Sequence, residues 1–171
     1  MPAHHPPYFI VAFETGARTS ELPALTRDPL DRKAGTLLID AARVRGIDKG
    51  TKTGNTRVVH LTQAAISTLR ELPTRFSRGH VFLAYDGQPY QKAKHINRLG
   101  WTPALKVSGV RWHRAYNCRH TRASLGLMAG QNPAFLSRQL GHSLAIFLST
   151  YARWMDGAQD RLEMDKLNKQ L

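Results

Sequence analysis

The sequence predicts an α+β protein, mainly α-helical, in which a small antiparallel three-stranded sheet packs on a helical core. Three observations predict it. Residues 116–151 are cut into short helices by Gly130, by Asn132-Pro133 and by Gly141-His142-Ser143. Residues 35–61 hold two β-rich runs, 35–39 and 57–61, around a polar stretch rich in Gly, Asn and Thr. The length of 171 residues suits one domain with a substantial core and leaves no room for two sizeable ones.

In chain order, the apolar run 8–13 followed by Glu14-Thr15-Gly16 predicts a buried helix that stops at Gly16. Thr19 or Ser20 then caps a second short helix holding Glu21, Leu22 and Leu25. The turn between them presents Arg18 beside helix N–H groups, an arrangement that suits a phosphate oxygen. Strands are expected over 35–39 and 57–61. The turn between them is expected within 48–57, where Lys52 could lean into a site. Residues 62–72 read as a helix capped by Thr62, with Ala65, Ile66 and Leu69 on one face and Pro73 beyond its end. Residues 80–85 read as a short strand or extended segment, and Asp86-Gly87 as a turn. Residues 91–105 read as a helix carrying Lys92, Lys94 and Arg98. Arg111 and Arg114 belong to a basic loop with Trp112 interleaved, and all five cations are expected to meet a polyanion's backbone.

Within 116–151, Asn132 is a good N-cap and Pro133 sits where its missing N–H costs nothing. Ser143 can cap the last helix, which carries Tyr151 about two turns further on. Arg119, His120, His142 and Tyr151 thus fall at helix ends and faces that can converge. One cation, two imidazoles and a phenol suffice to hold a phosphodiester and attack it.

Charge points the same way. Lys and Arg number 25 against 12 Asp and Glu, a formal net charge of +13 and a pI near 10.6, which implies a polyanionic partner such as nucleic acid. The single cysteine, Cys118, excludes an internal disulfide and fits a packing role in a reducing compartment. The run 8–13 is too short to span a bilayer, and residues 1–7 lack the pattern of a secretory signal. A soluble cytoplasmic protein is therefore expected. No metal-ligand spacing appears, and no cofactor is expected.

Taken together, TGARTSEL, then TKTG before a strand, then YNCRHT, then LGH, then a tyrosine nine residues after His142, the order resembles the catalytic domain of tyrosine recombinases, the phage-integrase branch above all. The resemblance covers nearly the whole chain. It implies that Arg18 and Arg119 bind the scissile phosphate, that Lys52 protonates the leaving 5′ hydroxyl, that His142 is the histidine of the LGH motif, and that Tyr151 is the nucleophile. Glu21 would order the Arg18 turn. The product would be a 3′-phosphotyrosyl intermediate, with double-stranded DNA as partner and self-association on DNA, as a tetramer in the full recombination complex. Many relatives have His three residues before the second arginine; Tyr116 stands there, and His120, His113 or the site's positive field is left to remove the nucleophile's proton.

The resemblance further implies that residues 1–171 form the catalytic domain without the N-terminal helical domain of relatives, and that 152–171 form a helical tail able to dock on a neighbouring protomer. Two other functions share this chemistry or this surface: a type IB topoisomerase, and a DNA-binding module without catalysis.

Overall fold

The computed structural model describes residues 5–50, 56–155, 165 and 168. Helix α1 (His5–Thr15) opens the chain and stops where Gly16 turns left-handed, with φ of 62°. A Cβ at Gly16 would run into the Leu140 side chain, so the glycine also permits a close approach. The second helix is only a 3₁₀ turn, Leu22–Ala24, with no side-chain cap. Neither Thr19 nor Ser20 caps it; Glu21 occupies the cap position, and its carboxylate is committed elsewhere.

The three-stranded sheet is present, antiparallel, in the order β1 (Leu30–Asp31), β2 (Thr36–Ile39), β5 (Arg57–His60). Its register pairs Leu37 with Val59, both buried, while Val58 and His60 face outward. That alternation is the period of two that fixes strand register. Of the stretch 48–57, where a turn is expected, the described start is strand and residues 51–55 lie outside the described residues. A second hairpin, β3 (Ala41–Val44) with β4 (Ile47–Gly50), takes up Asp48, Lys49 and Gly50 as strand. Its two-residue turn is Arg45-Gly46, both at positive φ, as a tight hairpin requires. Residues 51–55, Lys52 among them, lie outside the described residues.

Helix α2 (Gln63–Glu71) begins as expected, Thr62 Oγ1 accepting the Ala65 N–H. Residues 80–85 form no strand beyond the isolated bridges Thr26–His80 and Leu83–Pro89. The helix expected over 91–105 runs as α3 (Ala93–Ile96), a π-helical stretch Asn97–Trp101, and α4 (Thr102–Val107). Lys92 therefore lies just ahead of it. The buried Gly100 sits in the widened turns.

The last three helices are α5 (Asn117–Met128), α6 (Pro133–Leu140) and α7 (Leu144–Tyr151). Their punctuation is that of the sequence. Asn132 Oδ1 accepts from Ala134 and Phe135, Gly141 is left-handed, and Ser143 Oγ accepts from Ile146. A 3₁₀ turn, Ala152–Trp154, follows. The helical tail expected over 152–171 otherwise falls almost wholly outside the described residues. Among the described residues no helix is long and apolar enough to cross a membrane.

Apolar side chains gather in two clusters. The larger joins α1, β2, β5 and α2 with Val81, Phe82, Tyr90 and Cys118. The smaller joins Ala123 and Leu127 of α5 to Leu136 and Leu140 of α6 and to Phe147 and Tyr151 of α7. The candidate site lies where α1 and the sheet meet the three C-terminal helices.

Candidate active site

Arg18 is fixed by its own turn. Glu21 Oε2 accepts the Arg18 backbone N–H at 2.7 Å, and Oε1 accepts from the guanidinium at 2.9 Å. The outer nitrogen Nη2 reaches across to the Gly141 carbonyl at 3.0 Å. Glu21 does order this turn, as the sequence implies, but it also holds Arg57. Nη1 and Nη2 of Arg57 donate to its two oxygens at 2.8 and 2.6 Å, while Nε donates to the Gln139 carbonyl at 2.9 Å. Burial pushes the Glu21 carboxyl up. The hydrogen bonds and charge of Arg57, then those of Arg18, outweigh burial and hold it down at about 2.

Arg57 and Gln139 also belong to this candidate site, unmarked by any motif. Gln139 Oε1 accepts the His60 N–H at 2.7 Å and its Nε2 donates to the Val58 carbonyl at 3.2 Å, clamping α6 to the edge of β5. Nothing local marks either residue. Arg57 begins an ordinary strand, and Gln139 is one polar residue on an amphipathic helix.

Arg119 is 1% exposed and stitches the two halves together. Its Nη1 donates to the Gly16 carbonyl at 2.8 Å, and its Nη2 donates to the Leu140 carbonyl and to His142 Nε2, the latter at 2.8 Å. Burial, then the neighbouring Arg18, lower its pKa to about 10, so the guanidinium stays charged at neutral pH. Burial, then Arg119, press His142 down to about 4. The neutral ring can then accept from Arg119 through Nε2, which leaves its proton on Nδ1. Arg119 Nε and His142 Nδ1 are buried with no hydrogen-bond partner among the described residues.

Tyr151, the last residue of α7, is 1% exposed and lies in a nest of rings. His142 stacks at 6.4 Å between centroids, Phe147 lies at 5.0 Å and Trp154 at 5.8 Å. His120 Nδ1 is 2.8 Å from its Oη. Burial raises the Tyr151 pKa, and the charge of Arg119 offsets that only in part. Tyr116, at the start of α5, lays its ring edge-on against His120 at 5.2 Å. His113, the other open candidate for proton removal, is engaged elsewhere, with Nδ1 at 2.9 Å from the Arg111 carbonyl and its ring against Trp101.

The residues Arg18, Arg119, His142, Tyr151 and Tyr116 are thus brought together. Lys52 is outside the described residues. An open cleft of about 1000 Å³ runs from Arg18 and His142 past Arg57 and His60 to Lys49 and Arg138. Among the described residues the only acid in its lining is Glu21, already paired with two arginines, so the cleft presents positive charge. Lys92, Lys94, Arg98, Arg111 and Arg114 are exposed and lie outside that lining. Cys118 is buried and its thiol is pushed up to about 11, in keeping with a packing role.

The comparisons with known proteins agree with one another. "Putative defective protein IntQ" of Escherichia coli (strain K12) is 33% identical over 94% of this chain and 48% of its own length. Prophage integrase IntR of the same strain is 39% identical over 49% of this chain and 20% of its own. The chain therefore spans about half the length of the first relative and less of the second. The Tn1549 transposon integrase, solved with a circular intermediate DNA, superposes with a TM-score of 0.76 at 19% identity, covering 95% of this chain and 58% of that one. The catalytic domain of bacteriophage HP1 integrase gives 0.66 at 20% identity, covering 95% and 80%. At such identities the likeness is one of fold, and it is the integrase catalytic-domain fold. A family model described as the phage integrase family matches residues 2–156, and the chain belongs to that family.

Proposed function

We propose that this chain is the DNA-cleaving and rejoining part of a site-specific recombinase, acting through a 3′-phosphotyrosyl intermediate. The observation that carries the reading is the convergence of the Tyr151 phenol with His120, Arg119 and His142, the last of which also lines a positively charged cleft. Arg18 and Arg119 hold the non-bridging oxygens of the scissile phosphate and stabilise the charge of the pentacoordinate transition state. The unpartnered Arg119 Nε and His142 Nδ1 are further donors of the kind an anion calls for. Tyr151 attacks phosphorus, and Lys52 protonates the departing 5′ oxygen, otherwise a poor leaving group. Tyr116 contributes a phenol beside His120. Because the bond energy is kept in the tyrosyl ester, a second 5′ hydroxyl can reverse the step into a new partner without ATP.

Double-stranded DNA is the partner that a net charge of +13 and this cleft suit. Lys92, Lys94, Arg98, Arg111 and Arg114 contact its phosphates. The protein self-associates on DNA, as a tetramer in the complete reaction, with residues 152–171 docking on a neighbour, and it works in the cytoplasm. Incubating the protein with a pool of nicked duplexes randomised across the core tests the reading. A denaturation-resistant protein–DNA adduct that disappears in Tyr151→Phe supports it, and DNA binding without any adduct contradicts it.

A further inference from the structure

At neutral pH the Tyr151 phenol carries its proton, because burial outweighs the pull of Arg119. Attack on phosphorus requires that proton to go somewhere. The position three residues before Arg119, where relatives often have an imidazole, holds Tyr116, a phenol in place of the imidazole. Three histidines remain nearby in sequence or space. His113 has Nδ1 at the Arg111 carbonyl and its ring edge-on to Trp101. The Nε2 lone pair of His142 is taken by Arg119. His120 alone, among the described residues, has an imidazole nitrogen within hydrogen-bond distance of the phenol, Nδ1 to Oη at 2.8 Å.

We propose that His120 is the catalytic base that takes the proton of Tyr151 during strand cleavage and returns it during resealing; this rests on the function proposed above. In the Nε2–H tautomer the phenol donates to Nδ1. As the Oη–H bond breaks toward Nδ1, the freed pair on Oη forms the bond to phosphorus. The bond from phosphorus to the 5′ oxygen breaks with its electron pair, and that oxygen leaves as a hydroxyl with the proton assigned to Lys52. His120 ends the step as imidazolium. In the reverse direction an incoming 5′ hydroxyl gives its proton back to the lysine side, and the imidazolium returns its own to the departing phenolate.

The surroundings fit a base. His120 is exposed, so Nε2 can exchange with solvent while Nδ1 faces the phenol. Tyr116 packs edge-on against the ring and fixes its plane. The titratable or charged groups around it are Arg119 and Tyr116 at its own helix, Tyr151 from α7 and His142 between α6 and α7. Burial, then Arg119, hold the imidazole below its ordinary value, so it is neutral and able to accept at pH 7.

The decisive variant is His120→Asn, whose side-chain oxygen can take the place of Nδ1 as a hydrogen-bond acceptor but cannot carry the proton away. The measurement is the single-turnover rate of adduct formation by the full chain, against pH, on the randomised nicked-duplex pool. His120→Asn is expected to melt and bind duplex as the wild type does, to form adduct about a hundredfold more slowly, and to lose the rise in rate with pH that the wild type shows through the imidazole titration. Adduct formation by His120→Asn at the wild-type rate, with that rise intact, overturns the assignment while leaving the proposed function standing. A wild-type protein that forms no adduct overturns both.

Discussion

Glu21 and Arg57 face each other in a two-pronged ion pair, both side chains buried, and the pair fastens β5 to the turn that presents Arg18. Removing one partner of such a pair strands a charge out of water, which is costlier than the pair's own worth. Glu21→Ala is therefore expected to lose about 3 kcal/mol in urea unfolding. A loss below about 1 kcal/mol, the range of surface pairs, would mean that the pair is not holding the turn.

Acid should unfold the protein in two overlapping stages. His142 has its folded pKa pressed from 6.5 to about 4, so the unfolded chain takes the proton first and stability falls between those values as pH drops. Glu21 is held at about 2 against an ordinary 4.5, and its contribution, complete above 4.5, is lost as pH falls toward 2. Urea midpoints measured from pH 7 to pH 2 should decline through both windows. A His142 imidazole titrating near 6.5 by NMR would remove the first stage.

Cys118 and Arg119 are neighbours in sequence with opposite expected roles. The Cys118 thiol, buried and pushed up to about 11, should resist a thiol reagent at pH 8 until the protein unfolds. Cys118→Ala should keep most adduct formation. Arg119→Lys keeps a charge but cannot span the Gly16 and Leu140 carbonyls and His142 together, and should reduce adduct at least a hundredfold. Similar losses in the two variants would refute the role given to Arg119.

Gln139 offers a test of the clamp between α6 and β5. Gln139→Leu should cost about 1–3 kcal/mol by leaving the His60 N–H and Val58 carbonyl without their partner. Hydrogen exchange at His60 should quicken. Unchanged protection there would show that the clamp is incidental.

How much of this was legible beforehand depended on whether the signal was local. The caps at Thr62, Asn132 and Ser143 and the stops at Gly16 and Gly141 are decided by a few adjacent atoms, and each helix they punctuate was foreseen. The β3–β4 hairpin was not. All of β4 is exposed, so no alternation of apolar residues marks it, and its Asp, Lys and Gly read as a turn. The π-helical stretch left no mark either, since apolar spacing alone does not separate it from an ordinary helix. Motifs single out Arg18, Arg119, His142 and Tyr151 as candidates, whereas Arg57 and Gln139 act through partners 36 and 79 to 82 residues away. No window of the sequence holds both ends of those contacts.

The most direct measurement is to digest the trapped protein–DNA adduct and identify by mass spectrometry the residue that carries the nucleotide. A 3′-phosphoryl link to Tyr151 and to no other residue is expected. A link to Tyr116, to a serine or to a histidine would contradict the role given to Tyr151.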